Sequence, residues 1–175
     1  IPQEFGSLGY ACRKLLNKGQ IVIRNAVLNR DLLLLSVTEA SASALVSLKL
    51  DKTALQVNIE PLCYLGCNEE ISCLAALPLN AAHLSGCIFL VGTHSSHMQF
   101  YYCNQEKRQD LLLLTSVNLL PFCRDGIAIP ESVCFMGNSS LLGSHDKFLV
   151  IGLRDGTLLR FVVDIDQLYA CVQSG

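Results

Sequence analysis

The chain has 175 residues, 51% of them hydrophobic and 16% charged, with a net charge of −2 and a pI near 6.1. The 13 Lys and Arg are scattered, the densest run being Lys107-Arg108, which excludes the basic face that drives direct phosphate binding. Apolar runs such as Leu32–Leu35 and Leu111–Leu114 are strand-length, well short of the ~18 residues of a membrane helix.

Residues 1–19 carry Gly6, Gly9 and Gly19, which break any period, and read as the tail of a strand plus a loop. Gln20–Leu28 is β-branched and suits an extended strand. Asn29-Arg30-Asp31 turns into Leu32–Val37, and after a small-residue loop over 38–43 the chain returns as Ala44–Leu50. There Leu45, Val46, Leu48 and Leu50 partly alternate with Ser47 and Lys49, the pattern of a strand with one face covered. A second unit starts with Glu70–Leu77, makes a hairpin over Cys87–Cys103 and adds an outer strand or two in Leu111–Leu120. A third starts near Glu131–Met136 and closes with a hairpin over Lys147–Val163, its tip at Arg154-Asp155-Gly156-Thr157. Asp-Gly between two apolar strands predicts a type I′ turn, with both Asp155 and Gly156 at positive φ. Asp164–Val172 opens either the next outer strand or a short helix.

The second and third hairpins are copies of one another, about 60 residues apart. Gly92 falls on Gly152, Ile88–Val91 on Phe148–Ile151 and Met98 on Leu158, and a looser copy runs from Arg24 to Leu50. Repeated hairpins at this spacing predict an all-β fold, a partial β-propeller of about three WD-like blades. The blade-like repeats are 20–69, 70–129 and an incomplete 130–175, all in one domain and preceded by the strand and loop of 1–19. A closed ring typically takes four to eight blades, so the expectation is a segment of a larger protein. The low charge agrees, implying surfaces covered by neighbours. The unequal loops at 81–85, 105–110, 124–130 and 137–146 are where such a scaffold places its contacts.

Residues that invite chemistry have plainer readings. Nine cysteines is an odd count, and Cys73, Cys87, Cys134 and Cys171 sit in apolar runs, so the set reads as reduced and buried. Ser144-His145-Asp146 are adjacent in sequence, whereas a triad is assembled from separated positions. His94 and His97 with Cys63 and Cys67 make a zinc set on paper, yet the His pair occupies the turn equivalent to Arg154–Thr157. Asp51, Glu60, Glu69, Glu70 and Glu131 are spread among loops, with no evident acid and base pair. Phe100, Tyr101 and Tyr102 lack interleaved Lys or Arg and read as packing residues rather than base-stacking ones. No residue is assigned a catalytic, cofactor or metal role, and no cofactor or small-molecule substrate is expected.

Gln20–Val37, Ala44–Asp51, Glu70–Ala75, Phe89–Gly92, Pro130–Val133 and Phe148–Phe161, in that order, resemble the middle propeller of the cleavage and polyadenylation specificity factor A subunit family. Gly152-Leu-Arg-Asp-Gly-Thr-Leu-Leu-Arg160 is the most specific piece, and the similarity covers about residues 20–164. The family includes the large propeller subunit of splicing factor 3b and the large DNA-damage-binding protein that serves as a cullin ubiquitin-ligase adaptor. The resemblance implies a non-enzymatic nuclear scaffold that holds other protein subunits of a pre-mRNA splicing or cleavage and polyadenylation complex, touching RNA indirectly or weakly, with no membrane partner. The ligase adaptor is the alternative that it leaves open. The chain lacks Trp and so departs from standard Trp-Asp repeats, and no contact residue transfers from the family.

Overall fold

Strand-length apolar runs broken by tight turns can bury both faces only by stacking as sheets, and that is how this chain folds. A computed structural model describes residues 21–39, 42–53, 56–77, 86–104, 111–123, 126–137 and 147–174. The described residues form three antiparallel sheets, none of them closed. The first is β1 (Ile21–Asn29), β2 (Leu32–Glu39), β3 (Ala42–Thr53) and β4 (Gln56–Cys67), each paired with the next. The second repeats the meander with β5 (Ile71–Ala76), β6 (Gly86–Thr93), β7 (His97–Asn104) and β8 (Leu112–Asn118). The third has β9 (Pro130–Gly137), β10 (Lys147–Leu153) and β11 (Leu158–Val162), after which the chain enters helix α1 (Ile165–Ser174).

Asp164 decides that last element. Its carboxylate accepts the Gln167 amide at 3.0 Å, an N-cap bond that starts a helix, and Leu168 then buries against the sheets. Of the two readings open for this stretch, the structure takes the helix. Cys171 consequently sits on that helix, half-buried, rather than in a strand.

The repeat is carried by register as well as by residue type. Gly92 pairs with Met98 and Gly152 with Leu158, and Ser36 pairs with Leu45 at the same place in the first sheet. Each first strand carries one extra residue opposite the end of the second strand: Arg24 in β1, Ser72 in β5 and Glu131 in β9. Each fourth strand carries one as well, Leu62 in β4 and Leu114 in β8. Such bulges bend and twist a strand locally, so their repetition gives the sheets a common shape.

The sheets stack through alternate faces of the same strands. Cys87, Phe89, Val91, Tyr101 and Cys103 of the second sheet pack toward Leu32, Leu34, Leu45 and Cys63 of the first. Their neighbours in sequence, Ile88, Leu90, Met98, Phe100 and Tyr102, pack toward Leu149, Ile151 and Leu153 of the third. First strands are neighbours along the stack, β1 beside β5 and β5 beside β9. Phe100, Tyr101 and Tyr102 are all buried, as packing residues must be.

Glycine at 92 is a consequence of this stacking. A Cβ there would lie 2.6 Å from Cys73 Sγ and 2.7 Å from Pro130 Cγ, so β5 and the start of β9 both approach the bare backbone. The Asp155-Gly156 tip departs from the type I′ turn expected for it. Gly156 alone has positive φ, at 85°. The Gly156 amide bonds Leu153 O at 3.0 Å and the Leu153 amide bonds Thr157 O at 2.9 Å, a type I turn closed by a left-handed residue. Asp155 stays outside the left-handed region because its carboxylate accepts the Thr157 amide at 2.8 Å, an Asx bond that holds the turn.

Candidate interaction surface

Turns, bulges and first-strand starts converge on one end of the stack. The His94 amide bonds Glu70 O at 2.9 Å, the Arg154 amide bonds Ile129 O at 2.9 Å, and the Leu119 amide bonds Ser96 O at 2.8 Å. Each bond ties a hairpin turn to the chain segment that enters or leaves its sheet. The rim is therefore made of backbone that the sheets hold fixed, while its side chains are polar.

An ion pair and a set of polar side-chain contacts line it. Arg154 is paired with Glu131, each side chain 45% exposed, and His94 Nδ1 lies 3.8 Å from Glu70. Glu69 accepts a hydrogen bond from Ser95, whose hydroxyl also lies 3.2 Å from His97 Nδ1. The Ser95 hydrogen bond, followed by one from Thr93 and the nearby His97, holds the Glu69 carboxyl below the usual carboxylate range against the opposing effect of burial. Two polar clefts of about 240 and 220 Å³ flank Glu69. The first is lined by Thr38, Ser43 and Cys67 through Glu70, the second by Leu65 through Glu69 with Thr93, Gln99 and Tyr101.

Ser95, His97 and Glu69 are a hydroxyl, an imidazole and a carboxylate in contact, but their order defeats a catalytic relay. In a triad the imidazole stands between hydroxyl and carboxylate. Here the hydroxyl stands in the middle and bonds a carboxylate that is a weaker base than usual, so the group ties the β4–β5 connection to the β6–β7 turn. Sequence reading missed this link because Glu69 and Ser95 are 26 residues apart. The Ser-His-Asp run at 144–146 lies outside the described residues.

His94 and His97 fall at the β6–β7 turn, the position the repeat assigns them. Cys63 is buried between the first two sheets, and Cys67 Sγ is bonded to Leu65 O at 3.6 Å. Desolvation pushes the Cys67, Cys73 and Cys87 thiols up and drives Cys103 to about 11, so these sulfurs stay protonated and are poor ligands and nucleophiles. Among the described residues no three His, Cys, Asp or Glu side chains could hold a metal ion, and no helix is long and apolar enough to cross a membrane. Among the described residues no disulfide is formed, and Cys134 is exposed on the third sheet, in contrast to the burial expected of it. Loops 81–85 and 105–110 lie outside the described residues, as do 124–125 and 138–146 of the other two loops singled out as contact sites.

No family model, curated protein or solved structure matches the chain.

Proposed function

We propose that this chain is part of a β-propeller that serves as a non-enzymatic scaffold for protein–protein interaction in a nuclear pre-mRNA processing complex. One observation carries the architectural part: successive antiparallel meanders stack face to face with their first strands adjacent and their bulges at equivalent positions. Blades arranged radially have this relationship between neighbours. The complex is named from the resemblance of Gly152–Arg160 and the segments before it to the polyadenylation factor A subunit family.

Mechanistically, a scaffold gains by being stiff. A rim whose turns are fixed by backbone hydrogen bonds loses little conformational freedom when a partner docks, so more of the contact energy is retained as affinity. The Arg154–Glu131 ion pair and the polar His94–Glu70 contact give that rim a mixed polar pattern suited to protein surfaces rather than to a phosphate backbone.

The test is affinity purification from nuclear extract with the tagged chain, followed by mass spectrometry. Enrichment of cleavage and polyadenylation or splicing factor 3b subunits is the expected result. Recovery of a cullin in their place would transfer the chain to the ubiquitin-ligase adaptor branch, and recovery of neither would remove the nuclear assignment.

A further inference from the structure

Among the described residues the first two sheets each have a fourth strand, and the third has none. β4 pairs with β3 and β8 with β7, both with a one-residue bulge at the equivalent place. After β11, by contrast, the chain is capped by Asp164 and leaves the sheet as α1. Among the described residues nothing pairs with the outer edge of β11, so the backbone groups of Leu158–Val162 that point away from β10 have no ladder partner. Open edges of this kind are templates for another strand.

A second observation supplies the chemistry of what would pair there. An apolar cavity of about 320 Å³ opens beside β11, walled by Phe161 and Val163, by Leu114 and Val117 of β8, and by Leu168 and Cys171 of α1. Leu159 and Phe161 pack against the core shared with the second sheet. A strand laid beside β11 turns alternate side chains to that same face, over the cavity.

The geometry points to a strand-addition site: the edge of β11 takes an extended peptide segment with apolar residues at alternate positions. The backbone of Leu158–Val162 sets its register, and the cavity between β8, β11 and α1 receives its apolar row. The occupant is argued from continuity, since the same ladder position is filled by a strand in both preceding sheets. The inference rests on the repeat geometry and not on the nuclear complex, so the affinity purification and the following experiment fail separately.

The probe is a synthetic peptide carrying residues 111–119, the strand region that fills the fourth place in the second sheet, with lysines appended for solubility. It is titrated into the intact chain, and hydrogen exchange is followed by mass spectrometry. Saturable binding that slows exchange across 158–162 by about tenfold or more is the expected result. The same peptide N-methylated at alternate backbone nitrogens keeps its side chains and should lose the effect. Four outcomes would overturn the site: no slowing at peptide saturation, equal slowing by the methylated peptide, slowing confined to 132–136 and 147–152, or peptide-independent protection of 158–162 that grows with protein concentration. The last would assign the edge to a second copy of the chain.

Discussion

The second and third sheets are built on one pattern and meet opposite fates. Met98 and Leu158 hold the same repeat position and the same pairing, to Gly92 and Gly152, yet Met98 is 1% exposed and Leu158 is 75% exposed. The cause is stacking alone. The second sheet is covered on both faces, whereas the third turns Cys134, Met136, Leu158 and Val162 to solvent on the face away from it. On that face Arg160 lies 3.7 Å over the Phe148 ring, a cation–π contact that shields part of the apolar surface. The comparison teaches that hydrophobicity at a repeat position does not by itself fix burial, which depends on whether a second sheet lies over it.

The widest separation between the two sheets should appear on truncating the equivalent pair. Met98→Ala is expected to cost roughly 2–5 kcal/mol in chemical denaturation, and Leu158→Ala less than about 0.5 kcal/mol. Similar losses for both would mean that the bare face is covered in solution.

Next come the equivalent glycines. Gly92→Ala drives a methyl into Cys73 and Pro130, the latter from the neighbouring sheet, and should destabilise by roughly 1–3 kcal/mol. At Gly152 the nearest atom is the Ser132 hydroxyl, which can rotate away, and the next lies 3.7 Å off, so Gly152→Ala should cost under about 1 kcal/mol in the same measurement. Equal costs would break the argument that Gly92 is needed for sheet-to-sheet approach.

The turns offer a smaller contrast. Ser96 and Gly156 occupy equivalent left-handed positions, with φ of 67° and 85°. Ser96→Gly is expected to stabilise by roughly 0.5–1 kcal/mol and Gly156→Ala to destabilise by roughly 1–2 kcal/mol, both read from thermal melts. A destabilised Ser96→Gly variant would show that the serine hydroxyl contributes more than the strain costs.

The smallest effect is on the rim. Glu69 has a folded-state pKa below its unfolded value, so its contribution is present above the unfolded pKa and is lost as pH falls through the folded one. Stability measured across the acid range should therefore decline slightly less steeply in Glu69→Gln than in the parent chain. Because Glu69 lies at the surface, the difference is expected to be small and to shrink further in salt.

Much of the strand pattern is legible in local sequence, and its failures have identifiable causes. β1, β2, β6, β10 and β11 follow from β-branched or leucine-rich runs between turn residues, and β7 from its aromatic run, because such short apolar stretches are visible in neighbouring residues. β4 is hidden by Asn58, Glu60, Pro61 and Gly66, which interrupt the strand pattern. Pro61 is tolerated because it lies beside the Leu62 bulge on an outer strand, where a missing donor disrupts least. The Ser95 bridge between Glu69 and His97 was not legible either, since it depends on two connections brought together by stacking.

By itself, then, the amino-acid order determined the all-β character and the positions of the duplicated hairpins, which are written in short apolar runs and in their repetition about 60 residues apart. Tertiary structure decided which face of each sheet is covered and that, among the described residues, no strand lies beside β11 at the place where the first two sheets carry a fourth. Those outcomes depend on what a sheet packs against, and contacts between elements far apart in the chain leave no local periodicity to read.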